Sequence, residues 1–309
     1  MMSPLLSVCA NLSWVFAGRD DGIIKAQTPS GNLQYLEGHT DSVRSLCLSD
    51  DGQFLFSGSY DRTAKIWHNV DGIWQLFRTL ECNDGRAFPR VCVSGERLFT
   101  ADHTSGSIAV WNWEAGTLVG WIGMHQDARI TCMCVSGEHL FSGGIGNNVE
   151  VWNWKTRTLM WTLEGHTKSV WSLCVSGKVL FSGSLDKTIY AWDWKAGVRI
   201  GTFEGHHSDY VSSLCVLGSI LFSVACGEQW VQTWDLQLGQ PLNSVIISNG
   251  SQDFDVTGLC AVPNPHNPNN GWVFAVCDNG ILKMVNIYGG GNDSTEVPNK
   301  RTPYVSLRF

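Results

Sequence analysis

At 309 residues, 43% of them hydrophobic and only 16% charged, the chain is long for one compact core and poor in the charged faces of surface helices. A net charge of -7 without a clustered run of Lys and Arg disfavours a nucleic-acid backbone as ligand. No apolar run approaches the ~18 residues of a membrane-spanning helix.

In chain order, the N-terminus MMSPLLSVCANLSWVFAG is apolar but lacks the basic opening of a signal peptide. It fits instead an internal repeat, which begins with WVFAGRDDGIIKAQ (14–27). FLFSGSYDRTAKIW (54–67) is the first strong copy, and RLFTADHTSGSIAVW (97–111) is the same unit with one residue inserted. HLFSGGIGNNVEVW (139–152), VLFSGSLDKTIYAW (179–192) and ILFSVACGEQWVQTW (220–234) follow. WVFAVCDNGILKMV (272–285) closes the series as a second weak copy. The closing residues Trp67, Trp111, Trp152, Trp192 and Trp234 are spaced by 44, 41, 40 and 42 residues, the period of a four-stranded propeller blade.

Each copy reads as four short strands. Around Trp192 these are VWSLCV (170–175), VLFSGS (179–184), TIYAWDW (188–194) and VRIGTFE (198–204), bounded by Ser-Gly, Asp-Lys and Ala-Gly turns. No segment sustains helical periodicity. Five strong and two weak copies predict an all-β fold, a seven-bladed β-propeller of four-stranded antiparallel blades in a single domain, 1–309. The blades fall at about 1–37, 38–81, 82–123, 124–164, 165–204, 205–247 and 248–309. The terminal YVSLRF (304–309) is expected to add an outer strand to the last blade or to pair with the first.

Cys9, Cys47, Cys92, Cys134, Cys174, Cys215 and Cys260 recur at one place in the first strand of the unit. Equivalent positions of different blades are expected to lie too far apart to converge on one ion, so these residues read as small buried hydrophobes with no metal and no cofactor. Eleven thiols, an odd number, fit a reducing compartment, cytoplasmic or nuclear.

These residues resemble the WD40-repeat family along nearly the whole chain. Gly38-His39, Gly165-His166 and Gly205-His206 match its opening dipeptide, with Met124-His125 a variant; Trp192-Asp193 and Trp234-Asp235 match its closing one. Trp67-His68, Trp111-Asn112 and Trp152-Asn153 are variants of the close. The copies are loosely similar to propellers that end ubiquitin ligases and myosin-heavy-chain-type kinases. The resemblance implies a buried chain of His, Ser, Asp and Trp, complete in two blades: His39, Ser57, Asp61, Trp67 and His166, Ser182, Asp186, Trp192. The blades of Trp111, Trp152 and Trp234 lack a member and are expected to be held by packing alone. A Ser-His-Asp set that recurs with a Trp in several blades is structural, so no catalytic residue is assigned.

The resemblance also places ligand contacts on the top face, made by the entry to each first strand and the hairpin carrying the Asp. Aligning the copies on their cysteines puts Ser42 and Arg44, Arg129 and Thr131, Ser169 and Trp171, Tyr210 and Ser212, and Asp255 and Thr257 at the entries. The hairpins add Tyr60, Ile145 and Leu185. Large apolar groups beside Arg predict a binding surface of Arg44, Tyr60, Arg129, Ile145, Trp171, Leu185 and Tyr210, for a protein or peptide and for neither nucleic acid nor membrane. The opposite face offers PNPHNPNNG (263–271) and GGGNDST (289–295) as long loops. The function that follows is a non-catalytic scaffold or adaptor, monomeric alone or a subunit of a larger complex. The alternative is a propeller-scaffold enzyme, a hydrolase or lyase, with its site at the central channel; Asp102-His103 is an isolated acid–imidazole pair outside the repeated sets.

Overall fold

The computed structural model describes residues 5–81, 86–102, 105–124, 129–246, 255–277, 281–287 and 305–308, with side chains for most of them. The described residues form β-strands and turns, with no helix; none, therefore, is long and apolar enough to cross a membrane. The strands pair into seven four-stranded antiparallel sheets, each running in chain order from an inner to an outer strand. Six carry described side chains on all four strands; in the seventh these lie on the inner two.

The inner strands are Leu5–Ala10, Val43–Leu48, Arg90–Ser94, Ile130–Ser136, Val170–Ser176, Val211–Leu217 and Val256–Asn264. Each lies against the next, and the last lies against the first, which makes the array a propeller. The fifth blade shows the unit: Val170–Ser176, Val179–Ser184, Ile189–Asp193 and Val198–Phe203. Its first three strands alternate or run apolar because both faces of a blade are covered, whereas the outer strand is mostly exposed and buries only Phe203.

The core is divided among the blade interfaces. One cluster joins the first and second blades through Phe16, Val43, Leu55 and Trp67. Equivalent clusters recur around the ring, down to Val15, Ala17, Phe274 and Val276 between the seventh and the first. The repeated Phe-Ser-Gly on the second strand follows from this packing. Its Phe is fully buried, as at Phe56 and Phe141. Its Gly is where the next blade presses in: a Cβ on Gly183 would sit 2.6 Å from Val211 Cγ1, and one on Gly58 would collide with Phe88 O.

The repeated cysteines pair across the sheet with these phenylalanines in every blade, from Cys9 opposite Phe16 to Cys260 opposite Phe274. Burial pushes the thiols up, to about 12 at Cys174. The expectation that cysteines of different blades lie far apart needs correcting. The inner strands crowd the axis, so Cys9 is raised by burial and further by Cys260 and Cys47 in the flanking blades. Among the described residues no three His, Cys, Asp or Glu form a group able to hold a metal ion.

Ring closure uses no shared blade. Val305–Arg308 hydrogen-bonds to Ile281–Ile287 as the outer strand of the seventh sheet, not of the first. The segment 263–271 is not a long loop: Val256–Asn264 continues into a hairpin, with Asn264 opposite Asn267 and Pro263 opposite Gly271. The segment 289–295 lies outside the described residues, as do His103 and His125.

Candidate functional site: the central channel and its rim

Buried tetrads tie hairpins that frame the rim to the strands beneath them. His39 Nδ1 lies 2.6 Å from Asp61 Oδ2, His39 Nε2 lies 2.8 Å from Ser57 Oγ, and Trp67 Nε1 donates to Ser57 Oγ at 2.9 Å. The fifth blade repeats this: His166 to Asp186 at 2.9 Å, His166 to Ser182 at 2.8 Å, and Trp192 to Ser182 at 2.8 Å. An indole can only donate, so the hydroxyl accepts from it and gives its own proton to Nε2, leaving Nδ1–H for the carboxylate. Burial alone would raise the carboxyls of Asp61 and Asp186. Hydrogen bonds from the histidine, the following threonine and a backbone amide outweigh it and hold both well below the usual range.

The sixth blade also has a tetrad, contrary to the expectation that packing alone holds it. His207 Nδ1 is 2.7 Å from Glu228 Oε2, His207 Nε2 is 2.7 Å from Ser223 Oγ, and Trp234 Nε1 donates to Ser223 at 2.7 Å. His206, the partner of Gly205 in the opening dipeptide, is exposed and only meets the Trp234 ring edge at 5.1 Å. One extra residue before the strand moves His207 into place, and the longer Glu228 reaches it from a hairpin that is also one residue longer. In the third blade Trp111 Nε1 donates to Thr100 Oγ1 at 3.0 Å. In the fourth, Trp152 Nε1 is buried without a hydrogen-bond partner.

Six of the seven inner strands begin with a β-bulge, for example between Val43 and Ser45 and between Val170 and Ser172. A bulge leaves one residue unpaired and re-aims it. The residues so released are Leu6, Arg44, Thr131, Trp171, Ser212 and Thr257, and all six line a central channel of about 390 Å³. Pro89 takes this position in the third blade, where it has no N–H to pair.

One step deeper the lining is Ser7, Ser45, Arg90, Cys132, Ser172, Ser213 and Gly258. The serines here stitch blade to blade: Ser7 Oγ donates to Val43 O at 3.1 Å, Ser45 to Val91 O at 3.2 Å and Ser172 to Val211 O at 3.0 Å. Apolar residues follow below, including Leu46, Met133, Leu173 and Leu259.

Four hairpins are tied to the entry beside them by one backbone bond each: Tyr60 N to Ser42 O at 3.2 Å, Ile145 N to Arg129 O at 3.1 Å, Leu185 N to Ser169 O at 2.9 Å and Cys226 N to Tyr210 O at 3.0 Å. Of the residues expected at the binding surface, Arg44, Trp171 and Tyr210 come together in the channel lining. Tyr60 stands beside them, its ring 5.2 Å from Arg44 Cζ. Arg129, Ile145 and Leu185 lie outside the lining, with Arg129 and Ile145 exposed on the rim. Trp171 and Tyr210 are half-buried with ring centroids 5.4 Å apart, and Trp171 Nε1 has no hydrogen-bond partner. Burial and then the contact with Cys226 push the Tyr210 phenol up to about 12.

Arg90 was not legible as a site residue from the entry alignment. It is the one long side chain in a ring of small ones, and that column carried the signal. Ala101 stands opposite it, where the second, fourth and fifth blades have Gly. Arg90 Nη1 donates to Arg44 O at 2.7 Å, and burial lowers its pKa.

The family model described as "WD domain, G-beta repeat" matches residues 30–68 and 157–193. These two stretches contain the two Asp-bearing tetrads. Among curated proteins, the chain is 28% identical over 149 residues to the WD repeat-containing protein 26 homolog of Arabidopsis thaliana, covering 48% of this chain and 24% of that protein. It is 26% identical over 160 residues to Autophagy-related protein 16 of Arabidopsis thaliana, covering 50% of this chain and 30% of the relative. It is 49% identical over 79 residues to a Ribosome biogenesis protein BOP1 homolog of Drosophila mojavensis, covering 26% of this chain and 10% of the relative. The matches thus span less than a third of each relative's length. Repeats at a blade period and three closed tetrads agree on a β-propeller, in which the family model finds WD40 repeats at residues 30–68 and 157–193.

Proposed function

We propose that the propeller, read as a single domain over 1–309, is a non-catalytic interaction module that takes a protein or peptide segment at the rim of its central channel. The observation that carries this reading is the half-exposed pair Trp171–Tyr210 at the mouth of a 390 Å³ channel, with a buried indole N–H that has no partner. A buried donor without a partner is costly, and a segment entering the channel can supply the acceptor. Aromatic groups beside Arg44 are the residue types that anchor interfaces. Among the described residues the lining has one carboxylate, Asp255, and no imidazole, which favours binding over acid–base catalysis in the channel. Two relatives are named for autophagy and for ribosome biogenesis, and membership of an assembly is in keeping with both. The described cysteines are free thiols, which suits a reducing compartment, cytosol or nucleus.

The test is affinity purification with the intact chain against a Trp171→Ala, Tyr60→Ala double variant. The partners should be lost from the variant while its melting temperature stays close to wild type. Partners retained by that variant but lost on substitution within 263–271 move the site to the opposite face.

A further inference from the structure

Away from the channel, the circumference carries a repeated feature. The outer strands of the second to fifth blades each have a β-bulge opposite the closing tryptophan. The residues left unpaired are Phe77, Val119, Met160 and Ile200, all apolar and between 38% and 56% exposed. Exposed apolar groups scattered singly need no explanation, but these recur at one place in four successive blades. The junctions between the outer strands differ. Gln34 Nε2 donates to Gly72 O at 2.6 Å, Arg78 to Glu114 O at 3.1 Å and Arg157 to Val119 O at 3.1 Å, so polar side chains bridge the first four blades. Between the fourth and fifth, the crossing group is the Trp161 ring, which lies over Gly197. Trp161 belongs to Thr158–Leu163, where five residues in a row are exposed and none is charged.

The core beneath sets the sides of this groove. Leu163 and Tyr190 belong to the cluster packed between the two blades. Trp161 stands opposite Val151 of that cluster, so its ring faces the fifth blade. Arg199 stands opposite Trp192 and stacks on Tyr190 at 4.5 Å, so its guanidinium faces the fourth. Lys195, over the Trp194 ring at 5.3 Å, marks one end. Both cations are exposed, and among the described residues neither has a carboxylate partner. Exposed Glu164 and Glu204 follow the two strands at the other end.

Three kinds of occupant fit badly. Bulges interrupt the free edges and work against an added strand. A bilayer would leave the edge N–H and C=O groups of Thr158–Leu163 without partners. A second copy on a two-fold axis through the groove would set Lys195 and Arg199 against themselves. We propose that the groove between Thr158–Leu163 and Val198–Phe203 is a second docking surface, which takes an amphipathic helix of a partner protein with acidic residues beside its apolar stripe. Strands of six residues make a groove about 20 Å long, which a helix of about 13 residues spans. Apolar residues at i, i+4 and i+7 seat against Met160, Trp161 and Ile200. A neighbouring carboxylate meets Arg199, whose stacking on Tyr190 orders the guanidinium without using its N–H groups. The helix C-terminus lies toward Lys195 and its N-terminus toward Glu164 and Glu204.

The test selects a displayed library of scaffolded helices about 14 residues long on the immobilised full chain. Leu is fixed at i, i+4 and i+7, and the flanking positions admit Glu, Gln or Lys. Glu should be enriched over Lys roughly tenfold at those positions. A selected Glu helix, made as a free peptide, should bind wild type with an affinity that falls as salt is added. Ile200→Asp and Arg199→Glu change exposed residues, so each should weaken that peptide about tenfold at an unchanged melting temperature. Trp171→Ala, which alters the channel, should leave it bound. Binding lost in Trp171→Ala and kept in Arg199→Glu puts the helix in the channel and overturns the proposal. Equal enrichment of Glu and Lys, or no enrichment over a scaffold without the Leu stripe, overturns it as well. A wild-type chain that sediments as a dimer while Ile200→Asp sediments as a monomer makes a second copy the occupant and overturns the partner helix.

Discussion

The fourth and fifth blades are adjacent, close in sequence and differently held. Both have Phe-Ser-Gly on the second strand and a closing Trp on the third, and their registers coincide: Leu140 opposite Trp152 in one, Leu180 opposite Trp192 in the other. In the fifth, the indole, hydroxyl, imidazole and carboxylate form an unbroken chain. In the fourth, Gly146 stands at the acid position and the Trp152 indole N–H has no partner. Yet the two hairpins bend alike, with φ of 67° at Asn147 and 73° at Lys187. The blade is therefore shaped by strand packing and turn preference. The tetrad adds a satisfied buried network that fixes one geometry.

The sharpest way to break this comparison is to remove the acid. Asp186→Ala should cost about 1–3 kcal/mol, because His166, Thr167 N and Thr188 N then lose their acceptor. Acid should have the same effect on all three tetrads together. The folded-state pKa values of Asp61, Asp186 and Glu228 lie below their unfolded values. The native state therefore binds fewer protons, and its stability is full above about pH 4, near the unfolded carboxylate pKa. That stability is lost as pH falls through the depressed values. Melting temperature measured from pH 7 to pH 3 should drop steeply below pH 4 in wild type and less steeply in Asp186→Ala. Parallel curves would show that Asp186 does not titrate with the fold.

How much of this was legible can be seen at single residues. His39 and His166 were readable because an invariant order of residue types recurs at one period, and that order has a mechanism. His207 was missed because dipeptide matching fixes on Gly205-His206, whereas geometry counts residues to the strand. The paired insertions, one in the entry and one in the hairpin before Trp230, were the available clue. The face bearing Arg44 and Trp171 was legible. Which of its residues reach the axis was not, since a bulge redirects a side chain without changing the alternation of the sequence. Arg129, Ile145 and Leu185, which flank the turns and do not sit in a bulge, lie outside the channel lining.

A finer contrast lies in the two tryptophans. Trp192→Phe removes a donor that Ser182 uses, while Trp152→Phe removes one that nothing uses. Both rings are buried, at 2% and 8% exposure, so the packing loss is similar. Trp192→Phe should therefore exceed Trp152→Phe by about 1 kcal/mol in chemical denaturation. Equal losses would mean that the hydrogen bond in the fifth blade contributes nothing net.

The smallest expected effect concerns the hairpins themselves. Lys187 occupies the left-handed region at φ 73°, where a long side chain is strained by roughly 1 kcal/mol, whereas Asn147 at φ 67° is of a type that visits it readily. Lys187→Asn should therefore stabilise the fold by about 0.5 kcal/mol, the gain being reduced by loss of the exposed bond from Lys187 Nζ to Ser208 O at 2.5 Å. The reverse change, Asn147→Lys, should destabilise by a similar amount. If the turns are set by local preference alone, the two effects are opposite and nearly equal. If Asp186, which accepts from Thr188 N at 3.0 Å, already holds the fifth hairpin in place, the strain at Lys187 persists in the folded state and Lys187→Asn still relieves it. In the fourth blade no acid resists reopening, so Asn147→Lys should also raise amide exchange at Val149 and its neighbours, with no matching change at Ile189 when Lys187 is replaced. Exchange that rises equally in both blades would erase the difference between them.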